Sequence, residues 1–241
     1  MSKGVMGSEQ RPEGLPLRVR DWLLMALTVS SGAIDAISYL ALGNIFTAFM
    51  TGNVVFLGLQ MAGAGGHSVV SLAVALAFFA AGIFLSTLIV KPSKGSGVWP
   101  RRVTAALGVE AVVQACFLAI WVAADGQPSS SIVGVLIGLS ALAMGIQSGT
   151  VLSLGVTSVF TTAATATVVV LMSDVAAWSQ SAMERRRLAG VLASLFAGAA
   201  GGLLLAHTRT YAPVLPLAVT ILVVATATIA LRARDVTDVS R

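Results

Sequence analysis

Asp35 is the residue of this sequence best placed to do chemistry. It sits in the run from Trp22 to Leu42, which holds no other charge, fourteen residues beyond Asp21 and so about 20 Å along a helix axis. An acid near the centre of a bilayer costs about 2.5–3.5 kcal/mol on insertion scales. It therefore reads as a proton or cation site or a ligand anchor, against the plainer role of bonding a neighbouring helix. Thr28, Ser31, Asp35 and Ser38 recur at helical spacing and form one polar stripe.

Asn44, Thr47 and Thr51 form a second stripe, with Gly52 and Asn53 beside it. Ser158, Thr161 and Thr165 repeat it later in the chain. Two such stripes facing each other would line a polar cavity, although hydroxyls also bond their own helix backbone at little cost. Glu110 and Gln114 lie one turn apart, with Glu110 eight residues from Arg102. That is close enough to reach the membrane surface or pair with a cation, and the alternative is a functional acid. Asp174 reads as an interfacial structural residue and Asp125 as a solvated one. His67 and His207 stand alone, and no cluster has metal-ligand spacing. There is no phosphate-binding loop, no dinucleotide fingerprint and no serine with a histidine and an acid arranged around it. The chain therefore reads as not an enzyme, with no cofactor and no metal.

The elements that must position these residues are membrane helices. Of 241 residues 56% are hydrophobic and 10% charged, where a soluble domain has about 25% charged. Mean hydropathy is +0.91. So little charge cannot wrap so apolar a core in water. This excludes a soluble enzyme and makes nucleic acid an unsuitable partner, despite a net charge of +5. Stretches 22–42, 45–63, 68–90, 103–124, 131–155, 158–180, 188–206 and 212–231 each approach the length of a span. Trp22, Trp99, Trp121 and Trp178 fall near the ends of these stretches, as in an interfacial aromatic belt. The single cysteine, Cys116, can make no intrachain disulfide.

An internal repeat relates the two halves. Gly32-Ala33-Ile34-Asp35 matches Gly145-Ile146-Gln147-Ser148. With one residue inserted, Phe46-Thr47 matches Phe160-Thr161, Thr51 matches Thr165, and Val54-Val55 matches Val168-Val169. Repeated halves are common in secondary transporters. Basic residues cluster at Lys3, Arg11, Arg18 and Arg20, at Lys91, Lys94, Arg101 and Arg102, at Arg185 to Arg187, and at Arg232, Arg234 and Arg241. If all four clusters are cytoplasmic, one stretch among the first three and one among the fourth to sixth must fail to cross, and the second and sixth are the candidates. The fold class is then an all-α polytopic bundle of about six full spans plus two re-entrant helices, in two inverted halves. Eight full spans in parallel halves is the alternative. The expected organisation is a disordered cytoplasmic tail 1–20, one membrane domain 21–232 with halves 21–125 and 131–232, and a cytoplasmic tail 233–241. Gly190, Ser194, Gly198 and Gly202, with Gly134/Gly138 and Gly145/Gly149, recur every fourth residue. Such stripes permit close helix packing within the chain or in a homo-oligomer.

The run Gly32-Ala33-Ile34-Asp35-Ala36-Ile37-Ser38-Tyr39-Leu40-Ala41-Leu42-Gly43, followed by Met50-Thr51-Gly52-Asn53, resembles the YoaK family of bacterial integral membrane proteins, defined by a domain of unknown function. The resemblance covers nearly the whole chain and implies about six membrane helices. It implies no substrate. Similar proteins tend to show a Gln-Asn pair and a second Thr-Gly in the second half, where this chain has Gln147-Ser148 and Thr165-Ala166.

These readings converge on a small-solute or ion permease of a bacterial inner membrane, with both termini cytoplasmic. Asp35 would be its ionisable element, Asn44, Thr51 and Asn53 would line the site, and Gln147 would face them. A non-transporting scaffold, accessory subunit or sensor is the alternative, and an intramembrane enzyme acting on lipids a third.

Overall fold

The computed structural model describes residues 15–90, 98–156, 164–177 and 182–239. The chain is an all-α bundle. Its helices are α1 (Leu17–Ala41), α2 (Met50–Met61), α3 (Val69–Val90), α4 (Arg101–Ala123), α5 (Ser130–Ser153), α6 (Ala164–Ala177), α7 (Ala182–Ala200), α8 (Gly202–His207) and α9 (Val214–Val239), with a 3₁₀ turn at Arg209–Tyr211 before α9.

Among the described residues, six apolar segments are long enough to cross a bilayer: Leu17–Ala41, Val69–Val90, Arg101–Ala123, Ser130–Ser153, Glu184–Leu205 and Arg209–Val236. The 12 residues of α2 reach about 18 Å, well short of a hydrocarbon core of about 30 Å. The 14 residues of α6 reach about 21 Å. Among the described residues the bundle therefore has six spans plus two shorter helices, and the 12 residues of α2 do not suit the eight-span alternative; both ends of the 158–180 stretch lie outside the described residues. With six spans, the described basic residues at the start of α1, α4 and α7 and the end of α9 fall on one face of the membrane.

Two boundaries and the aromatic belt differ from the sequence reading. The N-terminal tail is helical from Leu17, not from residue 21, and Leu15 is already buried. α9 runs to Val239, so residues 233–239 of the expected tail 233–241 continue the helix. The tryptophans do not form a uniform belt. Trp22 is 72% exposed, but Trp99 and Trp121 are buried. Their indoles donate to Thr104 Oγ1 at 3.0 Å and to the Arg209 carbonyl at 2.9 Å. Those hydrogen bonds remove the reason to sit at a wet interface. Trp178 lies outside the described residues.

The two halves interlock rather than sit side by side. α7 lies along α1, and α3 lies along α5, so each half's third helix packs on the other half's first. Likewise α9 packs on α1, α4 packs on α5, and α4 meets α9 on the pseudo-symmetry axis. α1 and α5 are the core pair, each 61% buried along its span against 33% or less elsewhere. Glycine allows the close crossings. A Cβ on Gly32 would lie 2.4 Å from the Leu195 carbonyl oxygen, and one on Gly198 2.2 Å from that of Val29. In the other half, Gly145 would meet Phe79 O at 2.1 Å and Gly82 would meet Leu142 O at 2.3 Å. Gly32 and Gly145 are matched positions of the sequence repeat, so the repeat is also a repeat of packing.

Candidate functional site

The first half of the site is a broken helix anchored on Asp35. α1 ends where Gly43 (φ 88°) and Asn44 (φ 59°) take left-handed backbone, which glycine and asparagine tolerate best. Asn44 closes the helix end, since both its N–H and its Nδ2 donate to the Tyr39 carbonyl at 3.1 Å. The chain then turns back beside α1. Asp35 Oδ1 accepts the N–H groups of Thr47 at 2.8 Å and Ala48 at 2.7 Å, and Oδ2 accepts that of Phe49 at 3.0 Å. These are the main-chain donors just ahead of α2, which no helix carbonyl satisfies. A carboxylate there also complements the positive end of the α2 dipole. α2 therefore begins six residues inside the end of α1, about 9 Å down its axis.

Gly52 and Asn53 complete the anchor. Asn53 is buried, accepts the Phe46 N–H at 3.1 Å and donates to the Phe46 carbonyl at 2.6 Å. Gly52 leaves room for the Phe46 and Phe49 rings, which a Cβ would approach to 3.1 and 2.9 Å. Phe46 stacks on Tyr39 and Phe56. Thr47 Oγ1 bonds Ser140 Oγ of α5 at 2.8 Å and donates to Ser38 Oγ at 3.3 Å, and Ser38 Oγ donates to the Asp35 carbonyl.

A cavity of about 360 Å³ lies beside this anchor. Its walls come from α1 (Ser31, Asp35), the returning segment (Phe46, Phe49), α7 (Leu195) and the start of α6 (Ala164). The lining is mainly apolar, with Ser31, Asp35 and Tyr39 as its polar side chains. Ser31 Oγ is buried with no hydrogen-bond partner. Asp35 Oδ2 accepts one main-chain bond and has acceptor capacity left.

A second polar cluster joins α4, α9 and α1. Glu110 is fully buried. Its Oε1 accepts Gln114 Nε2 at 2.7 Å and Thr220 Oγ1 at 3.5 Å. Gln114 Nε2 also reaches Thr220 Oγ1 at 3.2 Å, and Ser30 Oγ is 3.4 Å from the same hydroxyl. Sequence reasoning missed Thr220 and Ser30. A lone hydroxyl in an apolar run is cheap, and Ser30 stands one residue off the stripe.

The remaining predicted residues scatter. Thr51 is exposed, as is Thr165 on α6. Gln147 is buried and its Nε2 donates to the Leu27 carbonyl at 3.1 Å, tying α5 to α1. Ser158 and Thr161 lie outside the described residues. Asp174 is buried and pairs with Arg185 at 3.3 Å, bridging α6 and α7. Asp125 is an exposed turn residue at φ 50°. No group of three or more metal-ligating His, Cys, Asp or Glu occurs among the described residues.

Residues 23–228 match the profile of the family described as "Protein of unknown function (DUF1275)". The chain belongs to that family. A DUF1275 relative, the UPF0700 transmembrane protein YoaK of Bacillus subtilis (strain 168), is 35% identical over 156 residues, 65% of this chain and 67% of its own. No solved structure matches the chain significantly. In this DUF1275 chain the D…T-G-N pattern of the first half is a folding device. Asp35 and Asn53 hold the segment that α1 and α2 enclose, and Gly52 makes room for its aromatic rings.

Proposed function

We propose that this protein is a permease for a small solute or ion, and not an enzyme. It acts in the bacterial inner membrane with both termini in the cytoplasm. The observation that carries this is the 360 Å³ cavity beside a broken helix, with Asp35 and Ser31 in its wall. Irregular backbone at membrane depth is tolerated where it is enclosed by protein or lines a path, and transporters bind substrate at such breaks near the repeat interface. The volume suits a small molecule. The mainly apolar lining with one acid and the hydroxyl side chains of Ser31 and Tyr39 favours a solute carrying a hydrogen-bond donor or positive charge. Clustered arginines on one face support the cytoplasmic assignment. Lipid is the surrounding partner, and no nucleic acid is involved. The scaffold reading, and a homo-oligomer through glycine stripes, have less support. Gly145, Gly149 and Gly198 already face helices of the same chain.

The test is a thermal-shift screen of the purified protein against ions and metabolites, followed by flux into proteoliposomes. Ala36→Phe, which fills the cavity, is run beside the wild type. A ligand that stabilises the wild type, is carried by it, and does neither for Ala36→Phe supports the reading. Equal stabilisation and flux in both proteins would overturn the cavity as the site.

A further inference from the structure

We propose that the cluster of Glu110, Gln114, Thr220 and Ser30 is a binding site for a small, hard monovalent cation of the Na⁺ class, separate from the solute cavity. Glu110 Oε2 and Gln114 Oε1 are both buried with no hydrogen-bond partner. Both are acceptor oxygens on side chains already bonded to each other and to Thr220. Ser30 Oγ adds a hydroxyl and reaches the Pro216 carbonyl at 3.3 Å. The cluster therefore offers one carboxylate, one amide carbonyl, two hydroxyls and a main-chain carbonyl from three helices.

A buried acceptor without a donor is destabilising, and a buried carboxylate without a counter-charge more so. No arginine or lysine pairs with Glu110 among the described residues. Besides Glu110, the charged residues of α4 and α9 (Arg101, Arg102, Arg232, Arg234, Asp235 and Asp238) sit at the helix ends, while α1 carries Arg18, Arg20 and Asp21 at its start and Asp35 further along. One cation would satisfy both orphaned oxygens and the charge together. An all-oxygen set without histidine or cysteine selects a hard ion, and a single carboxylate balances a single charge.

Next to the cluster, Gln114, Ser140 and Pro216 help to wall a mainly apolar cavity of about 10 Å³ that Glu110, Thr220 and Ser30 do not line, close to the space of one water. Ser140 is the residue that bonds Thr47 beside Asp35. The small cavity thus lies between the two polar clusters. Coupling of the ion to solute movement through this connection rests on the permease reading. Binding of the ion does not.

The experiment is thermal unfolding of the full-length purified protein, with NaCl titrated against choline chloride at constant ionic strength. The expected result is a rise in Tm that begins near Kd, grows with the logarithm of sodium concentration and reaches about 5 °C well above Kd. Glu110→Gln should abolish the rise, and Ser30→Ala should shift its onset to about tenfold higher sodium, equivalent to about 1.4 kcal/mol. If Glu110→Gln does not purify as a folded protein, Thr220→Val and Ser30→Ala carry the test. Equal Tm in both salts overturns the proposal. So does a sodium-induced rise that survives in Glu110→Gln, or a Tm that follows pH alone, which would assign the site to a proton. Ala36→Phe should keep the sodium response, so failure of the solute cavity and failure of the ion site are told apart.

Discussion

Asp35 accepts three main-chain hydrogen bonds at the start of a re-entrant helix, so its charge and its architecture cannot be separated by one substitution. In Asp35→Asn one oxygen becomes an NH₂ group, which cannot accept and must face an N–H. The expected cost is about 1–3 kcal/mol for the donor left unpaired, read as a lower Tm. Unchanged Tm would show that the anchor is not needed. Lost flux in this variant therefore implicates proton or ion coupling only if stability is restored, for example by a bound ligand. Asn53→Ala removes both bonds to Phe46 and should destabilise by a similar amount. A silent Asn53→Ala would leave the T-G-N pattern without this explanation.

The helices pair by glycine crossings that repeat in both halves. Gly198→Ala drives a methyl into the Val29 carbonyl, and Gly145→Ala into that of Phe79. Each should lose about 1–3 kcal/mol, as overpacked cores do. Gly134 has open space around it, so Gly134→Ala should be neutral or gain up to about 1 kcal/mol from helix propensity. Chemical denaturation of the three variants in one detergent checks the ordering. If Gly198→Ala and Gly134→Ala behave alike, the interlocked crossing of α1 and α7 is wrong.

Six crossings dictate where each connector lies. After one full span and a short helix that returns, the connector holding His67 and Ser68 must face away from the N-terminus. Ser68→Cys in a Cys116→Ala background should react with an impermeant maleimide on intact cells, while Arg101→Cys should react only after lysis. Protection of Ser68→Cys until lysis would put the connector on the cytoplasmic face. It would then require α2 to cross despite its 12 residues.

Composition and the length of apolar runs determined the membrane class, because no soluble surface can be made from 10% charged residues. The spacing of basic clusters pointed to six crossings, and Asp35 was legible because an acid in an apolar run is costly. Internal similarity marked the repeat. Only the tertiary structure decided what these features do. Asp35 and Asn53 bond main-chain groups 7 to 14 residues away, and a backbone donor carries no signature in the sequence. Thr220 and Ser30 lie far from Glu110 along the chain, and hydroxyls are too cheap in a helix to stand out. The interlocking of the halves was hidden for the same reason. Small residues at fourth positions permit close approach but do not name the partner helix, which is settled by which faces are left to bury.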